Sequence, residues 1–187
     1  MNKIELRTHL KELVANVELE QKKIASEAVC KQLMSLASVA NSNSIFAYLP
    51  LQNEVNLLPL LELWIDESRT VCVPLINWEE NTMRGGLLTT LDESALIETK
   101  FGIKEPKERH PLPADCIDIS LVPGVGFDSQ GGRLGRGGGF YDRLIARSRP
   151  PIVIGVCFDE QIVESIPRES HDQLMSVVVT PTKVYFE

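Results

Sequence analysis

The chain has 187 residues, 43% of them hydrophobic, which suits one substantial core and a single domain spanning 1–187. A formal charge of -7 and a pI near 5.1 argue against an extended nucleic-acid surface, and no apolar run approaches the roughly 20 residues that cross a bilayer. The four cysteines (Cys30, Cys72, Cys116 and Cys157) form no CxxC pair, which speaks against zinc or a disulfide framework and for reduced, mostly buried thiols in a cytoplasmic protein.

The first elements are helical. Ile4, Leu6, Leu10, Leu13, Val14 and Val17 form one stripe, and Ile24, Ala28, Val29, Leu33, Leu36 and Ala37 form a second that could continue it. This start is amphipathic and charged, unlike the apolar core of a secretory signal. Ser44–Pro50 reads as a buried strand closed by proline, Leu57–Ile65 as a helix, Thr70–Leu75 as a strand, and Met83–Leu88 as a strand weakened by Gly85 and Gly86. Residues 89–116 hold Pro106, Pro111 and Pro113 and read mainly as a surface excursion. Ile117–Pro123 is a strand, Phe140–Ser148 a helix and Ile152–Cys157 a strand; Ser176–Thr180 and Lys183–Phe186 close the chain as strands. Strands alternating with helices predict an α/β fold with a mainly parallel sheet covered on both faces. Ligands of such sheets collect beyond the carboxyl ends of strands, here near Pro50, Pro74 and Pro123.

Between the Ile117–Pro123 strand and the Phe140 helix lies the most informative stretch. Residues 131–143 contain six of the chain's 12 glycines together with Arg133, Arg136 and Arg143. Glycine lets backbone amides approach a ligand, and fixed positive charge beside them suits a polyphosphate. The stretch matches neither familiar nucleotide motif. Phe140 stands where GxGxxG requires its third glycine, and Gly138-Gly139 replace the Lys-Ser/Thr of a P-loop.

Other residues say little in isolation. Lys3 and Arg7 share one helix face and read as solvated charge unless something opposes them. Asp142 could complement the helix start or hold a magnesium ion bridging phosphates. Glu54 follows a strand end and could face a ligand or be a solvated loop carboxylate. His171-Asp172 is a loose pair of a kind common in loops. Trp64 and Trp78 read as core or rim.

Together these positions resemble the 5-formyltetrahydrofolate cyclo-ligase family. The resemblance rests on Lys3-x-x-x-Arg7, on Tyr48-Leu-Pro followed by Glu54-Val55, and on Phe101-Gly-Ile-Lys-Glu-Pro106. The Pro123–Asp142 block is its most specific part, and His171-Asp172 completes it. Two positions depart from the family pattern: Phe140 stands where a Tyr-Tyr pair is common, and Ser176 where many members carry an aspartate.

The resemblance implies a three-layer α/β/α sandwich, Rossmann-like, and an ATP- and magnesium-dependent closure of 5-formyltetrahydrofolate to 5,10-methenyltetrahydrofolate. It implies ATP contacts from Lys3, Arg7 and the segment Arg133, Leu134, Gly135, Arg136, Gly137, Gly138, Gly139, Phe140 and Tyr141. Leu49, Glu54, Arg136 and Phe140 would contact the folate, and Asp142 with Asp172 the magnesium ion. Arg136, Glu54 and Tyr141 would carry the chemistry. The expected partners are small molecules, with no nucleic acid or membrane, and the expected state is a monomer. A non-catalytic nucleotide- or folate-binding relative is the competing reading, left open by Phe140 and Ser176.

Overall fold

The computed structural model describes residues 1–186, apart from the side chain of residue 114; Glu187, the end of the expected 1–187 span, lies outside the described residues. Helix α1 (Lys3–Ala15) opens on a capping box, in which the Asn2 side chain accepts from the Ile4 and Glu5 amides while Glu5 accepts from the Asn2 amide. Leu6, Leu10 and Val14 form its buried stripe. The two predicted stripes belong to separate helices, because α2 (Leu19–Ser35) begins only after a break at residues 16–18. The buried face of α2 also differs from the predicted one: Lys22, Ser26, Val29 and Leu33 point inward, while Ile24 is 59% exposed. Lys22 can lie inward because its ammonium donates to Asn53 Oδ1 at 2.9 Å while its stem packs.

After α3 (Ala37–Ala40), strand β1 covers only Ser44–Phe46, shorter than the expected run to Pro50. Beyond Ala47 the chain leaves the sheet, and the Tyr48 hydroxyl donates to the Val55 carbonyl at 3.1 Å to shape the turn. Helix α4 (Leu58–Asp66) carries Pro59 in its first turn, where no amide partner is lost. Then come β2 (Thr70–Asn77), β3 (Thr82–Leu87), β4 (Leu96–Glu98), β5 (Lys104–Pro106), β6 (Pro111–Leu112) and β7 (Ile119–Pro123). The remaining elements are β8 (Gly126–Asp128), β9 (Arg133–Leu134), α5 (Phe140–Ser148), β10 (Ile152–Val156), β11 (Ile162–Val163), β12 (Val177–Val179) and β13 (Val184–Tyr185).

The central sheet has eight strands in the order β13-β12-β10-β7-β1-β2-β3-β6. Strands β12, β10, β7, β1 and β2 run parallel, and β13, β3 and β6 join antiparallel at the edges. Side chains alternate between the two faces. Ile45, Val71, Val73, Ile119, Leu121 and Ile154 pack with Val29, Leu33, Leu61 and Trp64 of α2 and α4. Phe46, Cys72, Val122 and Val153 face the other way, toward Leu144 and Ile145 of α5. Helices on both faces of a mostly parallel sheet give the expected three layers.

From β1 the chain steps to β2 on one side, and it later returns to β7 on the other. That reversal is a topological switch point, and it leaves a crevice beyond the carboxyl ends of β1 and β7. The excursion 89–116 is more ordered than expected. It forms the β4–β5 hairpin, adds β6 to the main sheet, and anchors on β2 where buried Glu105 accepts from the Ile76 amide at 3.1 Å.

All four cysteines are free, but only Cys72 and Cys157 are buried; Cys30 is intermediate and Cys116 exposed, so "mostly buried" held for half of them. Among the described residues no helix is long and apolar enough to cross a membrane.

Candidate functional site

The crevice at the switch point is a cleft of about 640 Å³. Every site residue named from the sequence lines it: Lys3, Arg7, Leu49, Glu54, the run from Arg133 to Asp142, and Asp172. The glycine loop enters from β9 and leaves into α5. Gly137 (φ +106°) and Gly139 (φ +65°) are left-handed, a conformation that side chains resist, and Gly139 delivers the chain into the first turn of α5. Arg7 ties α1 to this loop by donating from Nε to the Gly135 carbonyl at 2.8 Å.

The charged groups are arranged in pairs. The Arg133 side chain is only 3% exposed and donates to Asp142 Oδ2 at 2.7 Å, with its guanidinium 5.4 Å from the centre of the Tyr141 ring. Arg133 therefore braces the start of α5 from beneath, and its Nε finds no partner among the described residues. Leu134 likewise turns inward, packing with Leu6, Leu10 and Val125. Arg136 is more than half exposed and reaches across the cleft to Glu54 Oε1 at 2.8 Å. The other Glu54 oxygen accepts from the Leu51 amide at 3.0 Å. Burial pushes the Tyr141 phenol well above its ordinary range and the Glu54 carboxylate adds to this, so Tyr141 stays a hydroxyl donor.

Lys3 sits between Asp172 at 2.7 Å and Glu169 at 2.9 Å. Burial alone would raise the Asp172 carboxyl, but the Lys3 ammonium and the Glu169 amide together hold it below the usual carboxylate range. Lys3 is shifted upward: burial opposes its charge, and the two carboxylates outweigh that. A depressed carboxyl stabilises the fold above its unfolded pKa, and that contribution fades as pH falls through the folded value. Stability at pH 7 is therefore expected to exceed that at pH 3 by more in the native chain than in Asp172→Asn. Urea unfolding at both pH values checks this, and an identical acid loss in the two proteins would contradict it.

Asp142 keeps its second oxygen on a long 3.3 Å bond from the Gln173 amide, next in sequence to Asp172. Among the described residues no three His, Cys, Asp or Glu side chains gather to hold a metal. The two cleft carboxylates, Asp142 and Asp172, are instead paired with Arg133 and Lys3; one or two carboxylates are the protein ligands that magnesium commonly takes when phosphates supply the rest.

Phe140, expected at the site, belongs to an aromatic wall whose other members, Trp78 and Phe101, were not expected there. Trp78 lies edge-on to both Phe140 and Phe101 with ring centres 5.5 Å apart, and Lys100 approaches the Trp78 face at 5.6 Å. Phe101 is 82% exposed and left-handed (φ +62°), held over the cleft mouth by the excursion taken for mere surface. Ile76, Met83 and Ile103 complete an apolar side. The sequence signals for this wall were Phe140, named as a ligand contact, and the Phe101–Pro106 segment; Trp78 carried none. Ser176 lies elsewhere: its hydroxyl accepts from the Val153 amide at 3.1 Å beside β12, and it does not line the cleft. The departure there is a matter of sheet structure.

Such a cleft, at the switch point of a mostly parallel sheet and lined by cationic side chains and an aromatic wall, is where proteins of the α/β class bind their ligands. The profile of the 5-formyltetrahydrofolate cyclo-ligase family matches residues 1–181. The 5-formyltetrahydrofolate cyclo-ligase of Escherichia coli K12 is 31% identical over 176 residues, covering 89% of this chain and 93% of its own. The mouse protein of the same name is 28% identical over 184 residues, covering 93% and 91%. The solution structure of Aquifex aeolicus 5,10-methenyltetrahydrofolate synthetase superposes with a TM-score of 0.84 at 33% identity, covering 100% of this chain and 93% of that one. The chain belongs to the 5-formyltetrahydrofolate cyclo-ligase family.

Proposed function

We propose that the chain closes 5-formyltetrahydrofolate to 5,10-methenyltetrahydrofolate at the expense of ATP, with magnesium bound to the nucleotide. The observation that carries this reading is the convergence of Lys3, Arg7, the left-handed glycine loop and Glu54 on one cleft, although they lie far apart in the chain. Phosphoryl transfer asks for positioning and charge stabilisation more than for covalent help from the protein.

Lys3, Arg7 and the amides of Gly135–Gly139 hold the phosphates. Asp142 and Asp172 would hold the magnesium ion, which would supply neutralisation of phosphate charge. Arg133, buried beneath, fixes Asp142 and the Tyr141 ring. Glu54 and Leu49 hold the folate against Phe140, with the aromatic wall behind. The formyl oxygen attacks the terminal phosphorus of ATP, the bond to ADP breaks, and the lone pair of nitrogen five delocalises into a carbon–nitrogen double bond. Nitrogen ten then adds to that carbon and loses its proton, and the carbon–oxygen bond breaks with phosphate as leaving group. Arg136 and the Tyr141 hydroxyl stabilise charge on the oxygens in transit.

This sequence fixes the fate of one atom. With oxygen-18 in the formyl group, the phosphate released is expected to carry one label. Label appearing in water, or unlabelled phosphate, would overturn the phosphorylated intermediate. The non-catalytic reading loses its footing, because Phe140 is a packed member of the aromatic wall and Ser176 does not reach the cleft.

A further inference from the structure

We propose that the Glu54–Arg136 ion pair is an autoinhibitory contact that makes nucleotide and folate bind cooperatively. This rests on the assignment of both ligands to the one cleft. Both Glu54 oxygens are engaged by the protein itself, one by the Leu51 amide at 3.0 Å and one by Arg136 at 2.8 Å. The Leu51 contact joins residues three apart in one turn, so it belongs to the local fold. The Arg136 contact joins residues 82 apart and spans the cleft. Arg136 sits between Gly135 and Gly137, on a loop whose left-handed glycines are not stiffened by side chains, and its side chain is 54% exposed. It is therefore the partner that can let go.

Each ligand alone must break this pair. Phosphate takes Arg136 and leaves Glu54 without its cation; the folate ring system takes the Glu54 oxygen and leaves Arg136 without its anion. When both bind, the pair is broken once and each freed group has a new partner. Whatever the first ligand spends on opening the contact is spared to the second, and linkage requires the same factor in both directions. A partly exposed ion pair sets that factor at about threefold to fivefold.

The measurement is calorimetric titration of the full chain with the magnesium complex of an imido-bridged, non-hydrolysable ATP analogue, with and without saturating 5-formyltetrahydrofolate. In the native chain the analogue is expected to bind about threefold to fivefold tighter when folate is present. In Glu54→Gln, which offers Arg136 only a neutral oxygen, it should bind tighter than native without folate, and at a folate concentration shown by direct titration to saturate the variant the folate effect should shrink toward onefold. Arg136→Gln should also lose the folate effect while binding the analogue more weakly, which guards against a folding defect in either variant alone. Equal affinity with and without folate in the native chain, or a coupling factor unchanged in both variants, overturns the proposal. Binding of neither ligand to the native chain would instead overturn the functional assignment, so the two failures are distinguishable.

Discussion

Arg136→Ala is expected to lower kcat/KM for ring closure by roughly a hundredfold to a thousandfold, the usual cost of removing one donor aimed at developing oxyanion charge. The guanidinium stands 54% exposed on the glycine loop and, among the described residues, hydrogen-bonds to Glu54 alone, so its loss should leave the fold intact. The effect should therefore appear in steady-state kinetics and not in urea unfolding. Arg136→Lys restores a charge without the forked geometry and should recover only part of the rate. Rates near native for the alanine variant would remove Arg136 from the chemistry and place the charge stabilisation on Lys3 and Arg7 instead.

Asp128→Ala is expected to cost stability on the order of 3 kcal/mol or more, one of the largest effects of any single substitution outside the apolar core. Asp128 is 2% exposed and sits in the Pro123–Asp142 block without lining the cleft. Its carboxylate accepts from the amides of Gln130 at 2.9 Å, Gly132 at 2.8 Å and Ile166 at 2.9 Å. Removing it strands three donors, two of them in buried contacts, and loosens the turn that leads into β9 and the glycine loop. Asp128→Asn keeps one accepting oxygen and should lose less. The urea midpoint and the rate at low temperature separate stability from function: the alanine variant should unfold early yet still turn over when kept folded. A loss below about 1 kcal/mol would mean that water replaces the carboxylate without cost.

The parts of this fold that could be read in the sequence were those set by local pattern. Alternation at Val71, Cys72 and Val73 gave a strand with two buried faces, and the spacing of Leu144 and Ile145 gave the inward side of α5. The glycine-arginine stretch stood out as a candidate anion loop from its composition, whereas Lys3, Arg7, Glu54 and Asp172 were named only through the family resemblance; the structure brings all of them to one cleft. What escaped was set by distant contacts. Lys22 turns inward because Asn53 meets its ammonium, and Ile24 turns outward as a consequence, which no hydrophobic stripe records. Phe101 reaches the cleft because Glu105 docks its hairpin on β2, a contact between residues 29 apart. Trp78 read as core or rim, and its meeting with Phe140 and Phe101 depended on elements from three parts of the chain. Arg133 shared the loop's composition with Arg136, yet one is buried as a brace and the other exposed over the cleft. Composition gives both a charge; only packing separates their roles.

The central claim is that this cleft couples ATP to closure of the folate ring. The most direct measurement mixes the native chain with 5-formyltetrahydrofolate and follows the absorbance of the methenyl product, with ATP and magnesium present together, singly and not at all. Absorbance should rise only when both are present, with one ADP formed for each folate closed. No rise at high protein concentration with both present, or a rise that does not depend on ATP, would contradict it.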